Sequence, residues 1–270
     1  MRRVILMRKR HAWTSPVIWL ASNCDVVHVK ICVEKAIEAA EAAYRPHLRA
    51  GASDPYHAMF PEFCGLCALK AAPAILELGS REVTDISRRR QFFPFAGEYI
   101  GLDIHSGPGV DVVGDVHQLS SIFPDQKFDA IYSVSVFEHL AFPWKAALEI
   151  NRVLKIGGLC FVSTHPVWPP HELPWDFWRF PLAGLRVLFN NALGFRILRA
   201  TEGLPARIHS LVDDPPTRGL PHFEASLGVA LIAVKTSDYD RERFRWDVPV
   251  EAVSDGIYPK HDHVLSHKIS

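Results

Sequence analysis

The chain has no net charge to spare: thirty Lys and Arg balance thirty Asp and Glu over 270 residues. That excludes a whole-protein field steering it toward nucleic acid or an anionic membrane. It also lacks a long apolar run. The most leader-like stretch, MRRVILMRKRHAWTSPVIWLASNC, is broken by Arg8, Lys9, Arg10 and His11. Its PVIWLA segment is too short for a signal core or a membrane span, and Asn23 before Cys24 spoils a lipoprotein-type cleavage pattern. Cysteine is scarce, five residues at irregular spacing, which excludes a disulfide framework and reads as free thiols in a reducing compartment. A cytoplasmic location is expected. Cys64 and Cys67 form a CxxC without a second ligand pair, so buried small residues are expected rather than a zinc site. Fourteen histidines are plentiful, but their scatter argues against one metal cluster. No metal is expected.

What is present is a core. Hydrophobic residues make up 48% of the chain, enough for one domain with decorations. The expected divisions are an N-terminal leader and helical cap over 1–70, a core over 71–236 and a tail over 237–270. A substrate lid is expected within 165–225. Val29 to Arg49 is rich in Ala and Glu, with Ile31, Val33, Ile37, Ala40 and Tyr44 at helical spacing. Pro46 should end or kink that helix. GASDPYHAMFPEF then reads as a turn-rich connection. Beyond it AILELG, EYIGLDI, VDVVGDV and FDAIYSVSV are strands. WKAALEINRVLK is an amphipathic helix that Gly157 and Gly158 should terminate as a left-handed cap. LCFVST and LGVALIAVKT are later strands. The alternation predicts an α/β fold, an open and mostly parallel sheet with helices on both faces.

In such a sheet, ligands bind beyond the carboxyl ends of the strands at the switch point. Gly79 and Ser80 follow the first strand, Asp103 the second, Asp115 the third, Ser133 to His139 the fourth and His165 the fifth. Asp103 lies 24 residues after Gly79, the separation that sets an acid beside a ribose diol. Asp115 could accept from an adenine amine while Val116 packs on the ring, or it could simply cap the next turn. HPVWPPHELPWDFWRF carries too many prolines for a long helix or a central strand. Its aromatic residues suit a lid or substrate wall, or a loop packed on the core.

The ordered set LELGS, GLDI, GDVHQL, FDAIYSVSVFEHL and ALEINRVLKIGGLCFVST resembles the class I S-adenosylmethionine-dependent methyltransferases, in particular the methyltransferase type 11-like, small-molecule kind. The resemblance runs over about residues 74–165. HPVWPPHELPWDFWRF also resembles a segment of methyltransferases associated with glycan and polysaccharide biosynthesis. The family implies a Rossmann-like seven-stranded sheet with an antiparallel last strand, and S-adenosyl-L-methionine as cofactor. It implies that Glu77, Gly79 and Ser80 face the cofactor's methionine part, and that Asp103 holds the ribose with Ile104 beside the adenine. Asp115 and Val116 would read the adenine edge, and Ser133 would offer a carbonyl near the sulfonium. The chain departs from the family at Arg81 and Val83, where further glycines are usual. Because this cofactor has no pyrophosphate to cradle, the turn should still bind, provided the Arg81 side chain turns outward.

The expected activity is methyl transfer to a small-molecule acceptor, a hydroxyl of a sugar or other metabolite. His139 and His165 are the candidate bases, with Glu138 as orienting or substrate-binding partner. Trp168, His171, Trp175, Phe177 and Trp178 are the expected acceptor contacts, and His171 and Glu172 are second-rank candidates to act on the substrate. Each histidine could equally be a structural hydrogen-bonding residue. No nucleic-acid partner and no membrane span are expected, and a homodimer is left open. The competing readings are a non-catalytic cofactor- or metabolite-binding relative, a metal-assisted variant without local spacing to support it, and a dehydrogenase. One glycine after the first strand opposes the last.

Overall fold

A computed structural model describes residues 31–83 and 89–244, apart from positions 33, 44 and 49. The leader, the tail beyond 244, and Val29, Val33, Tyr44 and Arg49 of the predicted helix lie outside the described residues. Two compact units are formed, one within Met1–Arg49 and His209–Pro221, the other within Ala50–Ile208 and His222–Ser270. In the first, the described residues of 31–43 form helix α1. A 3-10 turn, Arg45–His47, follows it at the position where Pro46 was predicted to break the helix.

The second unit is built on seven strands. They are β1 (Ala74–Leu78), β2 (Glu98–Asp103), β3 (Val112–Val113), β4 (Phe128–Val134), β5 (Leu154–Thr164), β6 (Phe195–Arg207) and β7 (Glu224–Lys235), in the order β3-β2-β1-β4-β5-β7-β6. The first five run parallel, and β7 is antiparallel to both neighbours. Alternate residues feed opposite faces, as the period of a strand requires. Ile75, Tyr132, Phe161 and Ile232 enter one buried cluster with helix α2 (Pro55–Ala68). Leu76, Leu78, Ile131 and Val162 enter another with α4 (Pro143–Val153) and α5 (Leu182–Leu188). The short α3 (Leu119–Ile122) follows β3. The strand order reverses beside β1, whose partners β2 and β4 diverge in the chain, and that opens the crevice.

The structure corrects two expectations. GASDPYHAMFPEF is not a loose connection but a 3-10 turn, Gly51–Ser53, leading into α2. Asp54 caps α2 by accepting from the Tyr56 N–H at 3.0 Å. Pro55 stands at the helix start, where a missing N–H costs nothing. Pro61 gives up one internal hydrogen bond, which burial of Met59, Phe63 and Cys67 outweighs. Nor do Gly157 and Gly158 cap α4. The helix ends at Val153, and both glycines lie inside β5, where the pairing with β4 shifts register between Phe128 and Ala130.

Cys67 is buried and Cys64 half-buried, and burial pushes their thiols up to about 12 and about 11. Both are therefore inert small residues at neutral pH. Phe63 is the centre of the α2 face, with Phe93, Tyr132 and Phe161 rings packed against it. Phe63→Ala should destabilise the domain by about 3–5 kcal/mol, read from urea unfolding. A cost near zero would mean α2 is an appendage rather than core.

Candidate active site

The site is founded on the turn after β1. Gly79 has φ of 74°, and a Cβ there would stand 2.2 Å from Val136 Cγ2. Only glycine suits both the backbone and the space. The N–H groups of Gly79 and Ser80 donate to the Leu102 carbonyl at 2.8 and 3.1 Å. The Arg81 N–H donates to Asp103 Oδ2 at 3.2 Å, and the His105 N–H donates to Oδ1 at 2.9 Å. The turn is thus stitched to the end of β2, and one carboxylate holds the seam.

Arg81 does not turn outward. Its Nε is 3.8 Å from Asp103 Oδ1, and both side chains are 12% exposed. A side chain at a customary glycine position lies here beside a carboxylate already fixed by two backbone donors, and charge attraction draws it in. Arg81 lines the cleft together with Asp103.

The cleft measures about 300 Å³ and lies at the carboxyl ends of β1, β2 and β4. Gly79, Asp103, Ile104, Asp115 and Val116 line it from the β1–β3 half. Asp115 accepts from both the backbone N–H and the ring Nδ1 of His117, at 2.8 and 2.6 Å. The His117 Nε2 accepts from the Phe142 N–H at 3.2 Å, so Nδ1 carries the proton. Burial raises the Asp115 carboxyl, but the His117 hydrogen bonds outweigh it and hold the group below its ordinary value. Asp115 is therefore a fixed anion at neutral pH.

Three expected cofactor residues stand back from the cleft. Glu77 is buried, with Oε2 accepting from the Tyr99 hydroxyl at 2.5 Å and Oε1 lying 3.6 Å from Arg89 Nη1. Burial pushes its carboxyl up despite these partners. Arg89 lines the cleft, so Glu77 acts on it through that cation. Ser80 is buried beneath the turn. Ser133 is buried in the sheet, and the wall beyond it is formed by Val134, Ser135 and Val136.

The other half of the cleft is built by the β4 end and the aromatic loop. His139, Leu140, His171, Glu172 and Trp175 line it. The loop is anchored rather than draped: the Phe177 and Trp178 N–H groups donate to the Glu138 carbonyl at 2.9 and 3.1 Å. Trp178 Nε1 donates to the Leu140 carbonyl at 2.8 Å. Arg179 grips Asp176 with two bonds of 2.5 and 2.7 Å. Trp175 is buried against Ala141 and Phe142. Trp168, Phe177 and Trp178 are partly exposed and do not line the cleft, and Trp168 stacks on His165 with centroids 4.4 Å apart.

His139 Nδ1 donates to the Trp175 carbonyl at 2.6 Å, leaving its lone pair on Nε2. His165 Nδ1 donates to the Leu227 carbonyl at 2.9 Å, and its Nε2 faces the Ser135 hydroxyl at 3.2 Å and Glu138 Oε1 at 3.6 Å. Glu138 is fully buried, and its Oε2 accepts from the Thr164 hydroxyl at 2.6 Å. Glu138 and His165 therefore stand behind the cleft wall. Sequence reasoning missed Arg89, His117 and Ser135. GDVHQL held a signal for His117, because an Asp two residues before a His can bond its backbone and ring together. Arg89 had no such signal.

Residues 65–162 match the model of the family described as "Methyltransferase domain". Uncharacterized methyltransferases of Mycobacterium sp. strains KMS and JLS are 33% and 32% identical to the chain over 103 residues, covering 33% of it and 40% of their own length. The match thus spans well under half of those relatives. A solved structure from Bacillus halodurans C-125, of a protein provisionally named a methyltransferase, shares the fold with a TM-score of 0.51 at 15% identity. It covers 66% of this chain and 98% of that one.

The Arg179 and His171 N–H bonds outweigh burial and hold Asp176 at about 2, against about 3.9 in an unfolded chain. A depressed folded value stabilises the loop fully above pH ~4 and loses that contribution as pH falls through ~2. Tryptophan fluorescence should therefore be flat down to pH ~4 and change below it. In Asp176→Asn the loop should already give the altered signal at neutral pH. A variant indistinguishable from wild type at neutral pH would remove this clamp from the account.

Proposed function

We infer that this chain, which carries a class I S-adenosylmethionine-dependent methyltransferase domain, transfers the cofactor's methyl group to a small-molecule hydroxyl, that of a sugar or similar metabolite. The observation that carries this reading is the polarity of the cleft. Fixed acids stand under its β1–β3 half, and an imidazole backed by an aromatic wall stands under the other. The residues present fit the cofactor. Asp103 and Asp115 offer acceptors for a ribose diol and an exocyclic amine, and Ile104 and Val116 offer apolar faces to a purine. Arg81 and Arg89 supply cations for a carboxylate.

When bound, S-adenosylmethionine supplies an electrophilic methyl on a sulfonium, which departs as a neutral thioether. The chain's share is position and proton management. Trp175 gives the acceptor a rigid apolar wall, and His171 and Glu172 give it polar contacts. His139 has its Nδ1–H fixed on the Trp175 carbonyl, so Nε2 is the basic atom toward the hydroxyl. Alignment in the cleft supplies a further large part of the acceleration.

One observation favours a second reading, binding without turnover: Arg81 folds over the carboxylate expected to hold the ribose. Release of S-adenosylhomocysteine with candidate acceptors separates the two readings.

Asp103→Ala should weaken S-adenosylhomocysteine binding roughly ten- to a hundredfold, about 1.5–3 kcal/mol, by calorimetry. Unchanged affinity in a folded variant would take Asp103 out of the site. His139→Ala should lower kcat by about a hundred- to ten-thousandfold while cofactor affinity changes little. A preserved kcat with lowered stability would make His139 structural.

A further inference from the structure

We propose that His139 and His171 from the cleft wall and Glu138 from behind it bind one first-row divalent cation at the loop end of the cleft, with His165 supporting them. One ligand atom from each of the three lies within 4.8 Å of the others, and reaching one ion at about 2.0–2.2 Å from each requires the widest pair to close in. The sequence hides this set, because the fold alone brings the β4 end, the β5 end and the aromatic loop together.

The orientation of the donors supports the assignment. His139 and His171 each direct Nδ1 at a backbone carbonyl, of Trp175 at 2.6 Å and of Pro169 at 3.1 Å. His165 does the same with Leu227 at 2.9 Å. A backbone carbonyl on one ring nitrogen fixes the tautomer and leaves the other nitrogen as donor, as in metal-binding imidazoles. Glu138 adds the independent observation. Its side chain is fully buried, and Oε1 has no hydrogen-bond partner, although Oε2 is satisfied by Thr164. A buried carboxylate oxygen without a donor is costly. It faces His165 Nε2 at 3.6 Å, and with Nδ1 protonated that nitrogen presents a lone pair. The Ser135 hydroxyl lies 3.2 Å from that nitrogen and can donate to it, so the partnerless atom is Glu138 Oε1, and a cation beside it would satisfy it.

Imidazoles with one carboxylate suit zinc, cobalt, nickel or iron(II), whereas magnesium and calcium prefer all-oxygen shells. The proposal rests on the methyl-transfer reading for its chemical use. An acceptor hydroxyl bound to the cation becomes a stronger acid, and its proton leaves to solvent. The oxygen then forms the bond to the methyl carbon as the carbon–sulfur bond breaks. In the loaded form the His139 lone pair serves the cation instead of the proton.

The test is titration of the full chain, freed of metal by a chelator, with Co²⁺ and then Zn²⁺. One equivalent of Co²⁺ should produce visible d–d absorption that Zn²⁺ abolishes. Glu138→Gln and His171→Ala should each weaken binding by about tenfold or more, while exposed His222→Ala leaves it unchanged. Absence of a one-equivalent site in wild type, or wild-type affinity in both Glu138→Gln and His171→Ala, would overturn the proposal. Calorimetry with S-adenosylhomocysteine on the metal-free chain keeps the two readings apart. Cofactor binding without Co²⁺ binding sinks the cation site alone, and the reverse sinks methyl transfer alone.

Discussion

Everything in the cleft depends on the seam between the β1 turn and the end of β2. Gly79 turns the chain where no side chain fits, and four N–H groups then converge on Leu102 and Asp103. Two of these bonds end on the Leu102 carbonyl and two on the Asp103 carboxylate, which is partly withdrawn from water. Asp103 consequently has two tasks. It fixes the backbone around the crevice, and in the proposed function the rest of its about four acceptor sites serve the ligand. The same dual use explains why Arg81 is tolerated. Its backbone serves the seam, and its side chain settles on the charge that the seam created.

The half of the cleft beside the aromatic loop follows a different rule. No strand positions Trp175, His171 or Glu172; the loop that carries them is held by main-chain bonds to Glu138 and by the Arg179–Asp176 pair. A proline-rich segment forms few hydrogen bonds of its own, so its shape has to be imposed from outside. Glu138 imposes it from within the core, with its carbonyl toward the loop and its carboxylate toward Thr164 and His165. A change in what the carboxylate holds would be felt by the loop through the same residue. Among the described residues no helix is long and apolar enough to cross a membrane.

The core of the sheet was legible because its central strands carry short apolar runs bounded by turn residues, and because AILEL, EYIGLD and FDAIYSV end in line. Proline misled the reading at α2, where Pro55 is a helix starter and Pro61 an internal defect outweighed by burial. Gly157 and Gly158 misled it again, since a register shift inside β5 and a helix cap ask for the same residue type. In the site, strand-end acids were visible from spacing alone. Invisible were side chains that swing in from remote segments, such as Arg89, and residues whose carboxylates or hydroxyls point away from the cleft, such as Glu77 and Ser80. Histidines at 139 and 165 looked scattered because sequence distance says nothing about the ends of adjacent strands, and the loop then carries His171 against both.

We propose that one cleft holds the cofactor's nucleoside over the β1–β3 ends and its reactive end toward His139. A crystal structure with S-adenosylhomocysteine bound tests it most directly. The account predicts the ribose hydroxyls on Asp103, the adenine between Ile104 and Val116 with its amine toward Asp115, and the sulfur facing His139. A ligand with its ribose away from Asp103, or with its sulfur directed away from His139, would contradict it.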